Sequence, residues 1–362
     1  MLGYDRVVQD SWHEPQTELR PIRCAFCNSM LFRGAVEKIE IKCSKCGAVQ
    51  VLLRNGDSWI KERGLSRNRF GKLGYAPTRM VTDSAGRLVA IPDRPRRVVI
   101  LNTSNLGLYI VTGGNPVGRG TGDVLPAVLK DKVKHIPTVG LPSDPDLERI
   151  VAMKPDLVIG MAFSAHQSLA AILERKGIPA MLQTFARYSD VLEALRFYGE
   201  LNGNQELAEK KINAIEQHRQ MLIEQIGGRS LPKVLIVWAI AGGLYAALST
   251  SLIGDMVKRL GGMNVSDLLT PMNEKMAYVP LDFKAIASVQ PDIILFIDHQ
   301  FGEIANKGLS ALQNPLWQGL DAVRQNRVYN LPYSLFAVNP GAQIEKALSV
   351  LASALYREQD SF

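Results

Sequence analysis

Gln205–Ile226 reads QELAEKKINAIEQHRQMLIEQI, an unbroken run of helix-compatible residues with no glycine or proline. Ala208, Ile212, Ile215, Leu222 and Ile226 recur at steps of three, four or seven and share one face, while Glu209, Lys210, Glu216 and Gln220 fall elsewhere. At roughly 1.5 Å per residue, a single helix of this length spans about 33 Å, the width of a small domain. The stretch therefore reads as a spine able to bridge two bodies.

Two similar bodies flank it. Arg97-Val-Val-Ile-Leu101 is echoed by Lys233-Val-Leu-Ile-Val237, and Ile150-Val-Ala-Met-Lys-Pro-Asp-Leu-Val-Ile159 by Ile286-Ala-Ser-Val-Gln-Pro-Asp-Ile-Ile-Leu295. Both echoes share an offset of 136 residues, and a common register across separate motifs marks a duplicated unit. The expected fold is α/β, two Rossmann-like lobes joined by one long helix.

The 362 residues leave room for two or three domains, and 46% apolar with 21% charged residues suits a soluble globular chain with an ample core. No run approaches the roughly 18 consecutive apolar residues of a membrane span. The first residues, MLGYDRVVQDSWHEPQ, lack a basic start followed by an apolar stretch and a small-residue cleavage site, so the expected location is cytoplasmic. The formal charge of +7 is uneven: residues 20–75 hold twelve Lys or Arg against four acids, and the remainder is close to neutral.

Residues 1–19 read as a polar tail in which His13 is solvated. All four cysteines follow, as Cys24-x2-Cys27 and Cys43-x2-Cys46 with fifteen residues between the pairs. Two such knuckles place four thiolates around one zinc ion, and without a secretory signal this spacing suits metal better than disulfides. Short strands are expected at 30–32 and 39–41, joined by a turn near Gly34, in a module over 20–54 too small to fold on its core alone. Residues 55–77 are glycine-rich and basic, with Trp59, Phe70 and Tyr75 among Lys61, Arg63, Arg67, Arg69 and Lys72. They read as a linker, although the same composition can neutralise phosphates and stack bases.

Cys24-x2-Cys27, Met30-Leu-Phe-Arg-Gly34 and Ile39-Glu-Ile-Lys-Cys43-x2-Cys46-Gly47 together resemble the Com family, small zinc-binding translational regulators of Mu-like phages, over about 35 residues. The resemblance implies structural zinc, with RNA as a partner of residues 20–75. A ribbon that only mediates protein contacts fits the same residues.

A second resemblance covers roughly residues 78–362. VTDSAGRLVAIPDRPRRVVIL from Val81, Val139-Gly-Leu-Pro-Ser-Asp-Pro-Asp-Leu-Glu-Arg-Ile150, Leu252-Ile-Gly-Asp-Met-Val-Lys-Arg-Leu-Gly-Gly-Met-Asn-Val265 and Asn326-Arg-Val-Tyr329 are similar to the substrate-binding proteins of ABC importers for iron-siderophores, haem and vitamin B12. That family has two α/β lobes joined by one long helix, a periplasmic-binding-protein-like fold of helical-backbone type. The lobes would span 78–202 and 230–362, with 203–229 connecting them. The family's exported members present one carboxylate per lobe to the transporter. Glu148 matches the first position; at the second, Lys284 replaces glutamate, leaving Asp282 as the nearby acid.

Ligands in such folds sit at the carboxyl ends of the parallel strands. The repeat pairs loop 102–105 with 238–242 and loop 162–166 with 298–302, which makes Thr103, Ser104, Phe163, His166, Trp238, Tyr245, Tyr278, His299 and Phe301 the candidate cleft residues. They offer aromatic surface and little charge, and no arginine cluster, which favours a haem-like or corrinoid ligand over a citrate or catecholate complex. His299 reads either as an axial metal ligand or as a polar lip residue. The stretch GGNPVGRGTG at 113–122 lacks both P-loop and dinucleotide context and reads as a turn-rich loop.

No nucleophile with its base and no H-E-x-x-H occurs, so an enzyme is not expected. Two functions remain: a binding protein of ABC-importer type serving a permease, or a cytoplasmic sensor whose zinc ribbon contacts nucleic acid or protein.

Overall fold

The structure is a computed structural model that describes residues 21–23, 30–33, 38–42, 49–55, 58–64, 78–122, 125, 127–240, 243–269, 276–298, 315–336 and 339–356. The chain divides into two compact units, residues 1–80 and 81–362.

In the first unit Pro21–Arg23 pairs antiparallel with Met30–Arg33, and Lys38–Lys42, Val49–Asn55 and Ser58–Gly64 form an antiparallel sheet. The two expected strands are present, yet each pairs with a different neighbour and not with the other. Ser58–Gly64 falls in the segment expected to be a linker. Its hairpin has a sequence signal after all, because Gly56-Asp57 between the paired Asn55 and Ser58 is the glycine-first composition of a two-residue loop. Cys24, Cys27, Cys43 and Cys46 lie outside the described residues.

The second unit holds two lobes. In the first, β1 (Val98–Ile100), β2 (Gly118–Arg119), β3 (Leu157–Gly160) and β4 (Ala180–Leu182) form a parallel sheet in the order β4-β3-β1-β2. The helices that follow or separate them are α1 (Thr103–Val111), α2 (Leu147–Ala152), α3 (Ser164–Arg175) and α4 (Tyr188–Asn202). The spine is α5, Gln205–Ile226, with Ala208, Ile212, Ile215 and Leu222 buried as the periodicity requires.

The second lobe contains β5 (Lys233–Ile240), β6 (Gly243–Ala247), α6 (Leu252–Arg259), β7 (Tyr278–Pro280), α7 (Phe283–Val289), β8 (Ile293–Asp298), β9 (Val328–Leu331) and α8 (Ile344–Tyr356). Its strand order is β7-β6-β5-β8-β9, parallel from β5 to β9 and antiparallel where β6 and β7 return, with Met263–Asn264 also pairing β5.

The repeat holds at the level of hydrogen bonds. Leu157 pairs with Val98 and Ile159 with Ile100; 136 residues later Ile293 pairs with Val234 and Leu295 with Ile236. Lys154 and Gln290 end α2 and α7 with positive φ, 49° and 43°, and Pro155 and Pro291 then prevent the helices from continuing. Asp156 next accepts the amides of Arg96 at 2.7 Å and Arg97 at 2.8 Å, and Asp292 accepts that of Lys233 at 2.7 Å. The Pro-Asp pairs are therefore helix stops that also anchor β1 and β5.

The strands are buried on both faces. Val98 and Ile100 join one core and Val99 and Leu101 another; Val234 and Ile236 divide from Leu235 and Val237 in the same way. The inner faces of both lobes belong to a single core that includes Ile212, Ile215 and Leu222 of the spine.

Replacing Asp156 or Asp292 by alanine leaves strand-initiating amides without their charged acceptor. Urea unfolding of each variant is expected to show a loss of about 1–2 kcal/mol, adding in the double variant because the sites are far apart in the chain and share no partner.

Candidate functional site

The carboxyl ends of β1, β3 and β4 are tied together by Asn105, a fully buried residue in the first turns of α1. Its Nδ2 donates to Asn102 Oδ1 at 2.8 Å, Gly160 O at 3.1 Å and Gln183 O at 3.0 Å, while its Oδ1 accepts from the Tyr198 hydroxyl at 3.0 Å. Burial holds the Tyr198 phenol well above its usual pKa, so it remains a donor. Sequence reasoning passed over this hub, because Asn105 only closes the polar stretch Asn102-Thr-Ser-Asn105 between β1 and the apolar part of α1.

Thr103 is half-buried against the glycine-rich loop, where a Cβ on Gly122 would come 2.8 Å from Thr103 Oγ1. That loop contains β2, an edge strand and not only turns, and Gly120 is obligatory because a Cβ there would lie 2.1 Å from Leu101 O.

Two expected cleft residues are placed otherwise. Ser104 is buried and its hydroxyl donates at 2.8 Å to the carbonyl of Asn339 in the other lobe, which engages it in joining the lobes. His166 is fully buried: Nδ1 accepts from Met161 N at 2.9 Å and the ring packs 4.3 Å from that of Phe163. Burial depresses its pKa to about 4, against an opposing effect of the Pro142 carbonyl, so the imidazole is neutral near pH 7; its Nε2 is buried with no partner among the described residues. Phe163 itself stays half-buried at the start of α3.

Trp238, Tyr245 and Tyr278 are brought together. Trp238 and Tyr245 sit opposite each other on β5 and β6, which puts both side chains on one face, and the Trp238 and Tyr278 rings lie 4.6 Å apart. All three are half-buried. The Trp238 indole N–H is buried and has no hydrogen-bond partner among the described residues, and burial pushes the Tyr278 phenol up to about 12. This is an aromatic wall at the carboxyl end of β5 with neutral donors set into it. His299 and Phe301 lie outside the described residues, and no group of three His, Cys, Asp or Glu able to hold a metal ion occurs among the described residues.

Glu148 is exposed in the first turn of α2. Asp282 is exposed too, but its Oδ1 accepts from Lys284 N at 3.0 Å and Ala285 N at 3.2 Å as the cap of α7. In the repeat it is the counterpart of Asp146, which caps α2, and not of Glu148, whose counterpart is the exposed Lys284.

Residues 98–335 match the periplasmic binding protein family. The high-affinity heme uptake system protein IsdE of Staphylococcus aureus (strain bovine RF122 / ET3-1) is 26% identical over 244 residues, covering 64% of this chain and 78% of that protein. Among solved structures, an ABC transporter substrate-binding protein from Listeria monocytogenes EGD-e has a TM-score of 0.64 at 24% identity over 73% of this chain and all 100% of its own. S. aureus IsdE complexed with heme has 0.62 at 23% over 72% and 99%. The periplasmic catecholate-siderophore binding protein VctP from Vibrio cholerae has 0.61 at 19% over 76% and 99%.

The folded His166 holds its proton less tightly than an unfolded histidine, so its contribution to stability is complete above about pH 6.5 and is lost as the pH falls toward 4. His166→Gln is expected to cost about 1–3 kcal/mol in urea unfolding at pH 7.5, and the gap from the wild type should narrow at pH 4.5.

Proposed function

The chain belongs to the periplasmic binding protein family, and from that premise we propose that it is a ligand-binding protein of ABC-importer type. Its cargo is a metal chelate of the haem, corrinoid or iron–siderophore class, taken between the two lobes of residues 81–362. The family is one of binding proteins, in keeping with the expectation of a non-enzyme. The observation that carries the reading is the aromatic wall of Trp238, Tyr245 and Tyr278 at a strand end, with an indole N–H that has no partner among the described residues. Flat, largely apolar ligands are held by such surfaces, with a few polar groups fixing orientation. Within the class, this favours a planar macrocycle, and one relative is described in complex with heme.

The partner this implies is an ABC permease, with exposed Glu148 as the candidate contact on the first lobe. Asp282 is a weaker candidate, since part of its carboxylate is engaged in capping α7. The expected cytoplasmic location finds no support in the comparisons, where the family and VctP are described as periplasmic. Among the described residues no helix is long and apolar enough to cross a membrane.

At the N-terminus we propose a structural zinc ion held by Cys24, Cys27, Cys43 and Cys46. Each cysteine pair falls in the connection between two antiparallel strands, residues 24–29 and 43–48, which supports a pair of metal knuckles.

Titration with ferric haem, cyanocobalamin and a ferric siderophore is expected to give saturable binding for one of them. Trp238→Ala should then raise its Kd by about tenfold or more with an unchanged circular dichroism spectrum; no saturable binding of any of the three would refute the reading. Metal analysis of the intact protein should find one zinc per chain, lost in the Cys24→Ser/Cys43→Ser variant.

A further inference from the structure

Two contacts that join the lobes of residues 81–362, besides the spine, differ in kind. At the first, the start of α1 lies against residues 339–342. Ser104, only 4% exposed, donates through Oγ to Asn339 O at 2.8 Å, and a Cβ on Gly341 would come 2.9 Å from Ser104 O. Gly341 has a φ of 54°, so the backbones meet there because the residue is glycine. A Cβ on Gly107 would likewise come 3.5 Å from Ala342 N. Backbone packed this closely cannot slide without a clash, and it serves as a fixed pivot.

The second contact turns on one carboxylate. Tyr188 opens α4, and its N–H is among the first amides of the helix, which have no acceptor within the helix itself. It donates at 2.8 Å to Asp255 Oδ2 on α6 of the other lobe. The same oxygen accepts from Arg259 Nε at 2.9 Å, and the Arg259 guanidinium lies over the Tyr188 ring, 5.0 Å from its centroid. The side chains of Asp255 and Arg259 are 16% and 36% exposed, so water can take the place of either partner when the lobes part. This contact can therefore be broken and remade, whereas the one at Ser104 and Gly341 is dry and close-packed.

The Tyr188 amide is also continuous with the strand-end loops of the first lobe. Upstream of it, Gln183 O accepts from Asn105 at 3.0 Å, and Thr184 Oγ1 accepts from Ala162 N at 2.8 Å, next to Phe163. A shift of the first turn of α4 is thus felt along 183–187, at the carboxyl end of β4. We propose that the Tyr188–Asp255 bond is a latch: the lobes rock about the contact at Ser104 and Gly341, and a ligand enters and leaves when Asp255 lets go of the Tyr188 amide. This rests on the cleft reading above and adds the step that gates it. A latch that must open for entry and for exit slows both, so its loss speeds both and leaves affinity nearly unchanged. A residue that only shapes the site changes the exit rate and, with it, the Kd.

Stopped-flow mixing with ferric haem compares the intact wild type with Asp255→Ala and Asp255→Asn, each with an unchanged circular dichroism spectrum. Asp255→Ala should raise the association and dissociation rates together by about fivefold or more with Kd within about twofold, and Asp255→Asn, which keeps a neutral oxygen acceptor, should fall between. A change in the dissociation rate alone, or in neither rate, overturns the latch and leaves the cleft reading standing. Amide hydrogen exchange of the ligand-free wild type judges the latch without a variant. The Tyr188 amide should exchange through a local opening, well ahead of the Leu101 amide, which is bonded to Ile159 O at 2.9 Å within the sheet. A Tyr188 amide as slow as that of Leu101 overturns the latch. Failure of the wild type to bind ferric haem counts against the cleft reading, and the latch then stands or falls on the Tyr188 amide.

Discussion

The inner face of each lobe's sheet belongs to one core that runs through α5, and this shared burial is what the rest of residues 81–362 must accommodate. Ile212, Ile215 and Leu222 each contribute about 1.5–3 kcal/mol only if both lobes stay packed around them. Close contact with α4 is set by Gly199, where a Cβ would come 2.5 Å from that of Ala208. On the other side Lys211 pairs with Glu345, and His218 Nε2 lies 2.7 Å from Ser349 Oγ, both reaching to α8. Two cross-lobe bonds, Ser104 to Asn339 and Tyr188 to Asp255, add to the spine. These contacts hold the two lobes together without a ligand, which would limit the ordering cost of binding in the proposed cleft.

The spine and the duplication were legible because both rest on local periodicity: a buried face every three to four residues, and strand-initiating Pro-Asp motifs at a fixed offset. The paired registers of β1 with β3 and of β5 with β8 follow from that repeat. Partners distant in the chain were not legible. Nothing near Ser104 shows that its hydroxyl meets a carbonyl 235 residues away, and nothing in the loop around His166 shows that the ring is turned inward to accept the Met161 amide. The two strands expected in the N-terminal module are present, while their pairing partners, Pro21–Arg23 and Val49–Asn55, were not read, since pairing depends on neighbours that strand propensity does not report.

The cleft chemistry was partly legible for a related reason. The repeat places loops at strand ends, and so it pointed to Trp238 and the tyrosines near it. At the strand ends of the second lobe this leaves an aromatic surface of Trp238, Tyr245 and Tyr278.

Amide hydrogen exchange of the intact chain, with and without saturating ferric haem, tests the two-lobe cleft most directly. The account predicts new protection at 102–105 and 183–188 in the first lobe together with 238–245 and 276–280 in the second. Protection confined to one lobe, or located away from the strand ends, would contradict it.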